Sequence, residues 1–195
     1  MNQLQLSILI PTLIERAHFL NEMLENLTKQ YSSVGVVEII TDNRSRNYTT
    51  GEKRNTLLQR ATGKYVWFVD DDDYIFPYAI PEILKAAETD CDVMGICGMM
   101  TTDGANRVDW EIRLGHPYIA TQRNGKEFYL RFPNHITPMK REHAIRVKFP
   151  AKTLGEDYAW AKELNDLGLL KTQTVIEQPI YHYRNRSKKA ECANV

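Results

Sequence analysis

Four consecutive aspartates, Asp70 to Asp73, directly follow the apolar run of residues 65–69. Carboxylates this close together repel one another unless a positive charge offsets them. Their oxygen atoms suit Mg²⁺ or Mn²⁺, and a site that leaves coordination positions open can also take phosphate oxygens from a substrate. A metal ion held there would neutralise the charge that develops on a departing diphosphate. The run therefore predicts a divalent-cation site, with a solvated acidic turn or a helix cap as the alternative interpretation.

Other charged residues stand close to this run in the sequence. Lys53 and Arg54 lie in the preceding predicted helix, where either could reach a diphosphate or simply form a solvated helix face. The guanidinium of Arg54 matches the geometry of phosphate better than an ammonium group does. Asp42 follows a second apolar run, at residues 34–41. Its carboxylate could accept hydrogen bonds from a nucleobase or ribose, or it could cap the next turn.

A second acidic feature, Glu156-Asp157, begins the predicted helix of residues 155–167. A carboxylate on a rigid helix start can act as a general base that deprotonates an acceptor hydroxyl. The helix dipole would favour the same two residues without any catalytic role, so their position alone leaves both interpretations open. The five histidines show no metal-ligand spacing. His182, in a late predicted strand, could supply a further metal ligand or be a structural histidine.

Apolar runs and amphipathic segments predict the elements that position these residues. Strands are predicted at residues 6–10, 34–41, 65–69, 92–100, 175–176 and 180–183, and helices at residues 15–30, 51–61, 80–88 and 155–167. This order is typical of an α/β fold, in which helices cover a parallel sheet and ligands bind at the carboxyl ends of the strands. Three polar loops begin at such ends: Pro11-Thr12, Asp42-Asn43 and the acidic run.

Residues 101–127 show no clear periodicity and contain many turn residues, which predict a hairpin or a mobile loop. Two aromatic residues of this stretch, Trp110 and Tyr118, could stack on a sugar or a base. The earlier aromatic residues Trp67 and Phe68 stand in an apolar run, and we expect them in the core.

The bulk composition limits the class of protein. The chain has 195 residues, 43% of them hydrophobic and 26% charged, with a formal net charge of zero, which suits one globular domain. A net charge of zero gives no overall electrostatic attraction to nucleic acid or to an anionic membrane. Basic residues nevertheless predominate after residue 130 and could face an anionic acceptor. Three cysteines without a Cys-x-x-Cys pattern indicate neither a disulfide scaffold nor a zinc site. No apolar run approaches the ~20 residues that span a bilayer, and we expect a cytoplasmic protein.

The order of these motifs resembles that of the family 2 glycosyltransferases, which have the GT-A fold of the nucleotide-diphospho-sugar transferase superfamily. The matching pieces are SILIPT at residues 7–12, Glu15, the turn at Asp42, GEKRNTLLQRATGKYVWFVDDDD at 51–73, NHITPMKRE at 134–142 and GEDYAW at 155–160. The resemblance implies a Rossmann-like, mostly parallel sheet in a single domain of residues 1–195. Residues 1–100 would bind the nucleotide-sugar and the metal, and residues 101–195 would hold the acceptor and the catalytic base.

The resemblance also implies roles for individual residues. Those near the nucleotide-sugar would be Pro11, Thr12, Glu15, Asp42 as the reader of the base, Arg54 near the diphosphate, Asp70 and Asp71. Asp72 would be the principal ligand of Mn²⁺ or Mg²⁺, with Asp70 beside it on the metal or the ribose. Asp157 would be the catalytic base, and Asp73 would support the turn. The segment after Asp42 reads Asn-Arg-Ser-Arg where many members have Asp-Gly-Ser-Thr, which predicts a different recognition of the base.

We therefore expect a metal-dependent, inverting glycosyltransferase that moves a sugar from a nucleotide-diphosphate donor to a hydroxyl acceptor. The acceptor could be a glycan, a lipid-linked molecule or a modified nucleic-acid base, and the lack of membrane helices favours a single transfer over polymer synthesis. Two alternatives stay open. A nucleotidyltransferase would also use carboxylate-bound Mg²⁺, but the chain lacks a glycine-rich basic loop near its start. A non-catalytic nucleotide-sugar-binding module would not need Asp157 together with the acidic run.

Overall fold

Strands and helices alternate through the first half of the chain. The computed structural model describes residues 4–31 and 36–186. The elements of the first half are β1 (Leu6–Pro11), a 3-10 turn (Ile14–Arg16), α1 (Ala17–Thr28), β2 (Val37–Asp42), α2 (Thr50–Arg60), β3 (Tyr65–Phe68), β4 (Tyr74–Ile75), α3 (Ala79–Ala87) and β5 (Val93–Thr102). Each strand and helix predicted before residue 100 is present within a few residues of its predicted bounds. Residues 34 and 35 of the second predicted strand lie outside the described residues.

The second half is richer in strands. Its elements are β6 (Ala105–Ile112), β7 (Ile119–Arg123), β8 (Lys126–Arg131), β9 (Met139–Lys140), α4 (Arg141–Ala144), α5 (Glu156–Asp166), β10 (Gln173–Val175) and β11 (Tyr181–Asn185). The hairpin predicted in residues 101–127 is confirmed twice, by β5–β6 and by β7–β8. Their turns, Asp103-Gly104 and Asn124-Gly125, have positive φ at both residues, as two-residue hairpin turns require.

The sheet order places the predicted loops at one edge. The strands run β2-β1-β3-β9-β5-β6-β8-β7, and β1 pairs in parallel with both β2 and β3. Strands β10 and β11 also pair in parallel with β5, whereas the short β9 is antiparallel between β3 and β5. The predicted α/β fold, a mostly parallel central sheet flanked by helices, is confirmed. The parallel register brings Pro11 opposite Asp42, and the acidic run follows β3 at the same edge.

Two apolar clusters cover the two faces of this sheet. Alternate residues of β1 and β3, such as Ile8 and Trp67, pack with α1 and α3 on one face, and their neighbours pack with α2 and α5 on the other. Strands buried on both faces need continuous apolar sequences, which explains why they were predictable. Among the described residues, no helix combines the length and the apolar character needed to cross a membrane.

Helix α2 packs closely against the loop that precedes α5. A β-carbon on Gly51 would lie 2.0 Å from the carbonyl oxygen of Pro150, so only glycine allows this approach. The N–H of Gly51 donates to the carbonyl of Lys152, and the side-chain amide of Asn55 donates to the carbonyl of Phe149. These contacts fix the start of α2 beside the loop that leads into α5.

Candidate functional site

A cavity of about 610 Å³ opens at the carboxyl ends of the first strands. It lies between the loops after β1 and β3, the first turn of α5 and the end of β11. The predicted site residues in its lining are Pro11, Thr12, Arg54, Asp70, Asp71, Asp72 and Asp157. Glu15, Asp42 and His182 lie outside its lining. The cavity therefore unites the two acidic features, which are far apart in the sequence.

Arg54 connects the acidic run to the first turn of α5 through two ion pairs. Its Nη2 atom is 2.9 Å from Asp70 Oδ1, and its Nη1 atom is 2.7 Å from Glu156 Oε1. The side chain is buried, with the guanidinium carbon 5.8 Å from the ring centre of Phe68 and 5.6 Å from that of Phe149. Both Nη atoms are thus engaged by carboxylates of the chain itself, whereas the prediction placed Arg54 near a diphosphate.

These ion pairs affect the two carboxylates unequally. Burial alone would raise the pKa of Asp70, but Arg54 and His135 hold that pKa well below its ordinary value. Burial raises the pKa of Glu156 above its ordinary value, in spite of Arg54. Asp70 is therefore ionised at neutral pH, as a metal ligand must be.

Arg16 holds the next two aspartates of the run. Its Nη2 atom is 2.6 Å from Asp71 Oδ1 and 2.8 Å from Asp72 Oδ2. Asp71 also accepts a hydrogen bond from the hydroxyl of Thr12, and burial raises its pKa despite these partners. The side chain of Asp72 is 21% exposed, against 5% for Asp71. Of this pair, Asp72 is the carboxylate that a ligand in the cavity can reach.

Asp73 is buried outside the cavity lining and links β11 to the acidic run. Its carboxylate accepts hydrogen bonds from the Tyr181 hydroxyl at 2.6 Å and from the backbone N–H of Arg184 at 2.7 Å. The same hydroxyl accepts the backbone N–H of Asp70. Burial raises the pKa of Asp73 well above its ordinary value, and the charge of Asp70 adds to this effect. These contacts agree with the expected supporting role for Asp73.

Asp157 presents the more open carboxylate at the other side of the cavity. It lies in the first turn of α5, its side chain is 38% exposed, and it lines the cavity. Gly155 precedes the helix with a φ of 72°, a left-handed conformation that glycine adopts without strain. Carboxylates are favoured in the first turn of a helix by its dipole. A partly exposed carboxylate in a cavity can serve as a general base.

His135 lies between the two acidic features, although no role was predicted for it from the sequence. Its Nε2 atom is 3.6 Å from Asp70 Oδ2, and its Nδ1 atom is 3.7 Å from Asp157 Oδ2. The side chain is only 10% exposed. The sequence signal that could have indicated an ordered position is the pair Asn134 and Thr137. The N–H of Asn134 donates to Thr137 Oγ1, and the N–H of Thr137 donates to the carbonyl of Asn134, across the turn that carries His135.

Three residues of the predicted donor side are engaged with neighbouring side chains or backbone. Asp42 is buried and pairs with Arg44, whose Nη2 atom is 2.6 Å from Asp42 Oδ2. Burial would raise the pKa of Asp42, but Arg44 holds it below its ordinary value. Glu15 pairs with Arg46 at 2.7 Å, and Lys53 donates to the carbonyls of the two loops after β1 and β2. Both arginines of the Asn-Arg-Ser-Arg segment thus form ion pairs with carboxylates that were predicted to bind the nucleotide-sugar.

The structure does not bring His182 to the acidic run. Its Nε2 atom lies 2.9 Å from the hydroxyl oxygen of Thr101, and burial lowers its pKa. On the same strand, Tyr181 bonds Asp73 and Tyr183 lines the cavity, so His182 occupies the alternate position of β11. Trp110 is likewise unsuited to stacking on a ligand, because it is 5% exposed and packs near Tyr181.

Tyr118, the other predicted stacking residue, remains accessible. It is 42% exposed and contacts Phe132 and Tyr158, the residue that follows Asp157. The ring centres of Tyr118 and Tyr158 are 5.0 Å apart. An aromatic surface thus lies beside the first turn of α5.

The oxygen donors at the acidic run fit a hard divalent cation. Among residues 4–31 and 36–186, no three histidine, cysteine or acidic side chains converge into a complete metal site. Mg²⁺ and Mn²⁺ sites of phosphate-transferring enzymes commonly have one or two carboxylates, with the remaining positions taken by water and substrate phosphates. Asp72 and Asp70 both line the cavity and match that donor set. A cation at Asp72 would have to replace its contact with Arg16.

Comparison with known protein families supports the predicted resemblance. A family model described as Glycosyl transferase family 2 matches residues 39–148. This range includes the acidic run, α2 and the segment with His135, but it ends before Asp157. Among curated protein sequences, none matches this chain.

Solved structures share the fold at low sequence identity. S. aureus TarS has a TM-score of 0.65 at 16% identity, over 93% of this chain and 37% of that one. A complex of S. aureus TarS 1-349 with UDP-GlcNAc has a TM-score of 0.58 at 14% identity, over 98% and 62%. The mannosyltransferase PcManGT from Pyrobaculum calidifontis, in complex with GDP-Man and Mn²⁺, has a TM-score of 0.59 at 13% identity, over 99% and 60%. The chain spans less than two thirds of the length of each of these structures.

Proposed function

Because the chain belongs to glycosyl transferase family 2, we propose that it transfers a sugar from a nucleotide-diphosphate donor to a hydroxyl acceptor with inversion. The observation that carries this proposal is the meeting of the acidic run and Asp157 in one cavity. In this proposal the chain is a single domain of residues 1–195. Residues 1–100 form its donor and metal half, and residues 101–195 form its acceptor half.

The donor side lies at the end of β1 and the acidic run. Pro11 and Thr12 line the cavity next to Asp71, where the nucleotide would sit. Asp72 and Asp70 would hold Mn²⁺ or Mg²⁺, which when bound supplies positive charge to the departing diphosphate. Recognition of the base falls to the segment after β2, where Arg46 and Tyr48 line the cavity and Asp42 does not. The bound UDP-GlcNAc and GDP-Man of the similar structures make these two compounds the first donors to test.

The acceptor side lies at the first turn of α5. Asp157 accepts the proton of the acceptor hydroxyl while the hydroxyl oxygen forms a bond to the anomeric carbon. The bond between that carbon and the diphosphate oxygen breaks, and its electron pair leaves with the nucleoside diphosphate. Attack from the face opposite the leaving group inverts the anomeric configuration. Arg54 holds Asp70 and the neighbour of Asp157 together, and so fixes the two sides relative to each other.

A binding experiment tests the donor site. We expect UDP-GlcNAc or GDP-Man to bind the wild-type protein in the presence of Mn²⁺ and more weakly in EDTA, as measured by calorimetry. Asp72→Asn should weaken the Mn²⁺-dependent binding about 10-fold or more, because it removes the principal charged ligand. Asp109→Asn is the matched control, since Asp109 is a partly exposed residue of β6 paired only with Arg107 among the described contacts.

Two outcomes would count against the proposed function. One is the absence of Mn²⁺-dependent binding of either donor by the wild-type protein. The other is release of pyrophosphate in place of nucleoside diphosphate during turnover, which would favour a nucleotidyltransferase. Loss of binding in Asp109→Asn as well as in Asp72→Asn would remove the assignment of the metal to Asp72.

A further inference from the structure

We propose that His135 is a positioning residue that fixes the carboxylate of Asp157 relative to that of Asp70. The inference rests on the proposed function, because that function gives the two carboxylates their roles on the acceptor and donor sides. Glu156 already has a buried partner in Arg54, but Asp157 has no arginine or lysine within ion-pair distance among the described residues. His135 is the side chain that stands between Asp157 and the acidic run.

The geometry of the imidazole ring supports a bridging role. Its two nitrogen atoms face different carboxylates, with Nε2 3.6 Å from Asp70 Oδ2 and Nδ1 3.7 Å from Asp157 Oδ2. The Nδ1 atom is buried and has no hydrogen-bond partner in the described part of the chain. A buried polar atom without a partner is costly, so a partner is expected in the working state. A movement of Asp157 by less than about 1 Å would bring its oxygen to hydrogen-bond distance from Nδ1.

The backbone around His135 is held rigidly enough for such a role. Asn134 Oδ1 accepts the N–H of Ile136 at 3.2 Å, and the N–H of Asn134 donates to Thr137 Oγ1 at 3.1 Å. The indole N–H of Trp67 donates to the carbonyl of Ile136 at 2.9 Å. Trp67 belongs to β3, the strand that ends at the acidic run. The backbone next to His135 is therefore held by the same strand that positions Asp70. His135 in turn fixes the position of the Asp157 carboxylate relative to that strand.

Loss of this bridge should slow the chemical step and leave the affinity for the donor unchanged. The metal-bound donor lies on the side of Asp70 and Asp72, and the ion pair of Asp70 with Arg54 remains when His135 is changed. Asp157, in contrast, would lose the side chain that orients it. A displacement of about 1 Å in a reacting group can lower turnover by about 100-fold.

Three substitutions separate the two halves of the bridge. In Asn the side-chain amide nitrogen lies near the position of Nδ1, and in Gln it lies near that of Nε2. We expect His135→Ala and His135→Gln to lower the release of nucleoside diphosphate about 10- to 100-fold, with the Kd of the Mn²⁺–donor complex unchanged within about 2-fold. His135→Asn should retain most of the wild-type turnover, because it can still donate to Asp157. His143→Gln is the matched control, since His143 Nε2 is 3.1 Å from Asp92 at another site.

The turnover assay uses Mn²⁺ with UDP-GlcNAc or GDP-Man and water as the acceptor, so that it needs no identified acceptor. A second measurement needs no turnover: the ring nitrogen resonances of ¹⁵N-histidine-labelled full-length protein. Asp157→Asn should shift the Nδ1 resonance of His135, and Asp70→Asn should shift its Nε2 resonance. Thermal melting of each variant checks that it is folded.

The two measurements distinguish failure of this inference from failure of the proposed function. If the wild-type protein releases no nucleoside diphosphate, the proposed function is at fault, and the resonances alone decide the role of His135. An Nδ1 resonance that does not respond to Asp157→Asn overturns the bridge. So does a folded His135→Asn variant whose turnover falls as far as that of His135→Ala.

Discussion

At the scale of single residues, the four aspartates of the acidic run have four different environments. Asp70 is paired with Arg54, Asp71 is buried against Arg16, Asp72 is partly open, and Asp73 faces the hydroxyl of Tyr181. Identical side chains in consecutive positions therefore differ in their partners, their exposure and their access to the cavity. Asp70 and Asp72 both combine a partly exposed carboxylate, 28% and 21% exposed, with a place in the cavity lining, which is why these two carry the metal assignment.

The proposed base makes a prediction at the same scale. Asp157→Asn should lower the release of nucleoside diphosphate about 100- to 10,000-fold, because the amide cannot accept the proton of the acceptor. Binding of the Mn²⁺–donor complex should stay within about 2-fold of wild type, since Asp157 lies on the acceptor side. Single-turnover release of product and calorimetry measure the two effects separately. Glu163→Gln, an exposed change on the same helix, is the control.

A turnover in Asp157→Asn that equals the wild-type rate would contradict the role of Asp157 as the base. A parallel loss in Glu163→Gln would instead indicate that α5 as a whole is sensitive to substitution.

The sequence alone could predict some of these residues and not others. Asp70 to Asp73 were found because they follow a strongly patterned apolar strand, whereas the role of Asp157 came from the family resemblance. His135 was missed because it follows β8 in a stretch without periodicity, and its place between Asp70 and Asp157 depends on contacts between distant segments, such as the hydrogen bond from Trp67 to the carbonyl of Ile136. The two ion pairs of Arg54 could not be predicted either, because one of its partners, Glu156, is distant in the sequence.

At the scale of elements, long apolar runs were predictable and short pieces were not. Strands β1 and β3 are buried on both faces, so their sequences are continuously apolar. Strands β4 and β9 have only two residues each, too few to show a period. Strand β11 was predicted, but the assignment of His182 to the metal required knowing which face of the strand meets the acidic run. The face depends on the pairing of β11 with β5, a contact between distant segments.

Asp92 makes a prediction about how these elements are joined. It directly precedes β5. Its carboxylate accepts hydrogen bonds from the backbone N–H groups of Lys171 at 2.9 Å and Thr172 at 3.0 Å, and its Oδ1 atom lies 3.1 Å from His143 Nε2. Burial alone would raise the pKa of Asp92, but these donors hold it well below its ordinary value. A carboxyl group whose pKa is lower in the folded state stabilises that state above its unfolded pKa of about 3.9. This stabilisation is lost as the pH falls below about 4.

We therefore expect Asp92→Asn to lower the free energy of unfolding at pH 7 by about 1–3 kcal/mol, because an amide offers one acceptor oxygen in place of two. The difference from wild type should shrink as the pH falls from about 4 toward 2. Urea titrations across this range measure it. Asp166→Asn, on the exposed surface of α5, serves as the comparison. A difference that stays constant with pH would show that the charge of Asp92 is not what stabilises the joint.

At the scale of the whole molecule, the cavity depends on both halves of the chain. The first half supplies the ends of β1 and β3, and the second supplies α5 and β11. Arg54 and His135 cross between these halves, one from each side. The net charge of zero hides this arrangement, because the acidic and basic side chains at the cavity largely neutralise one another.

A ligand that contacts both halves should stabilise the whole fold by a free energy that grows with the logarithm of its concentration divided by its Kd. At a concentration of 100 times its Kd, a ligand that binds only the folded state contributes about 2.7 kcal/mol. For a domain of this size that corresponds to a rise in Tm of about 5–10 °C. We expect this rise for UDP-GlcNAc or GDP-Man with Mn²⁺, followed by thermal melting. Removal of the metal with EDTA should abolish most of it, because the diphosphate then faces the carboxylates of the acidic run without the added positive charge of the cation. A rise of the same size with and without Mn²⁺ would mean that Arg16 and Arg54, with no metal ion, offset the charge of that run.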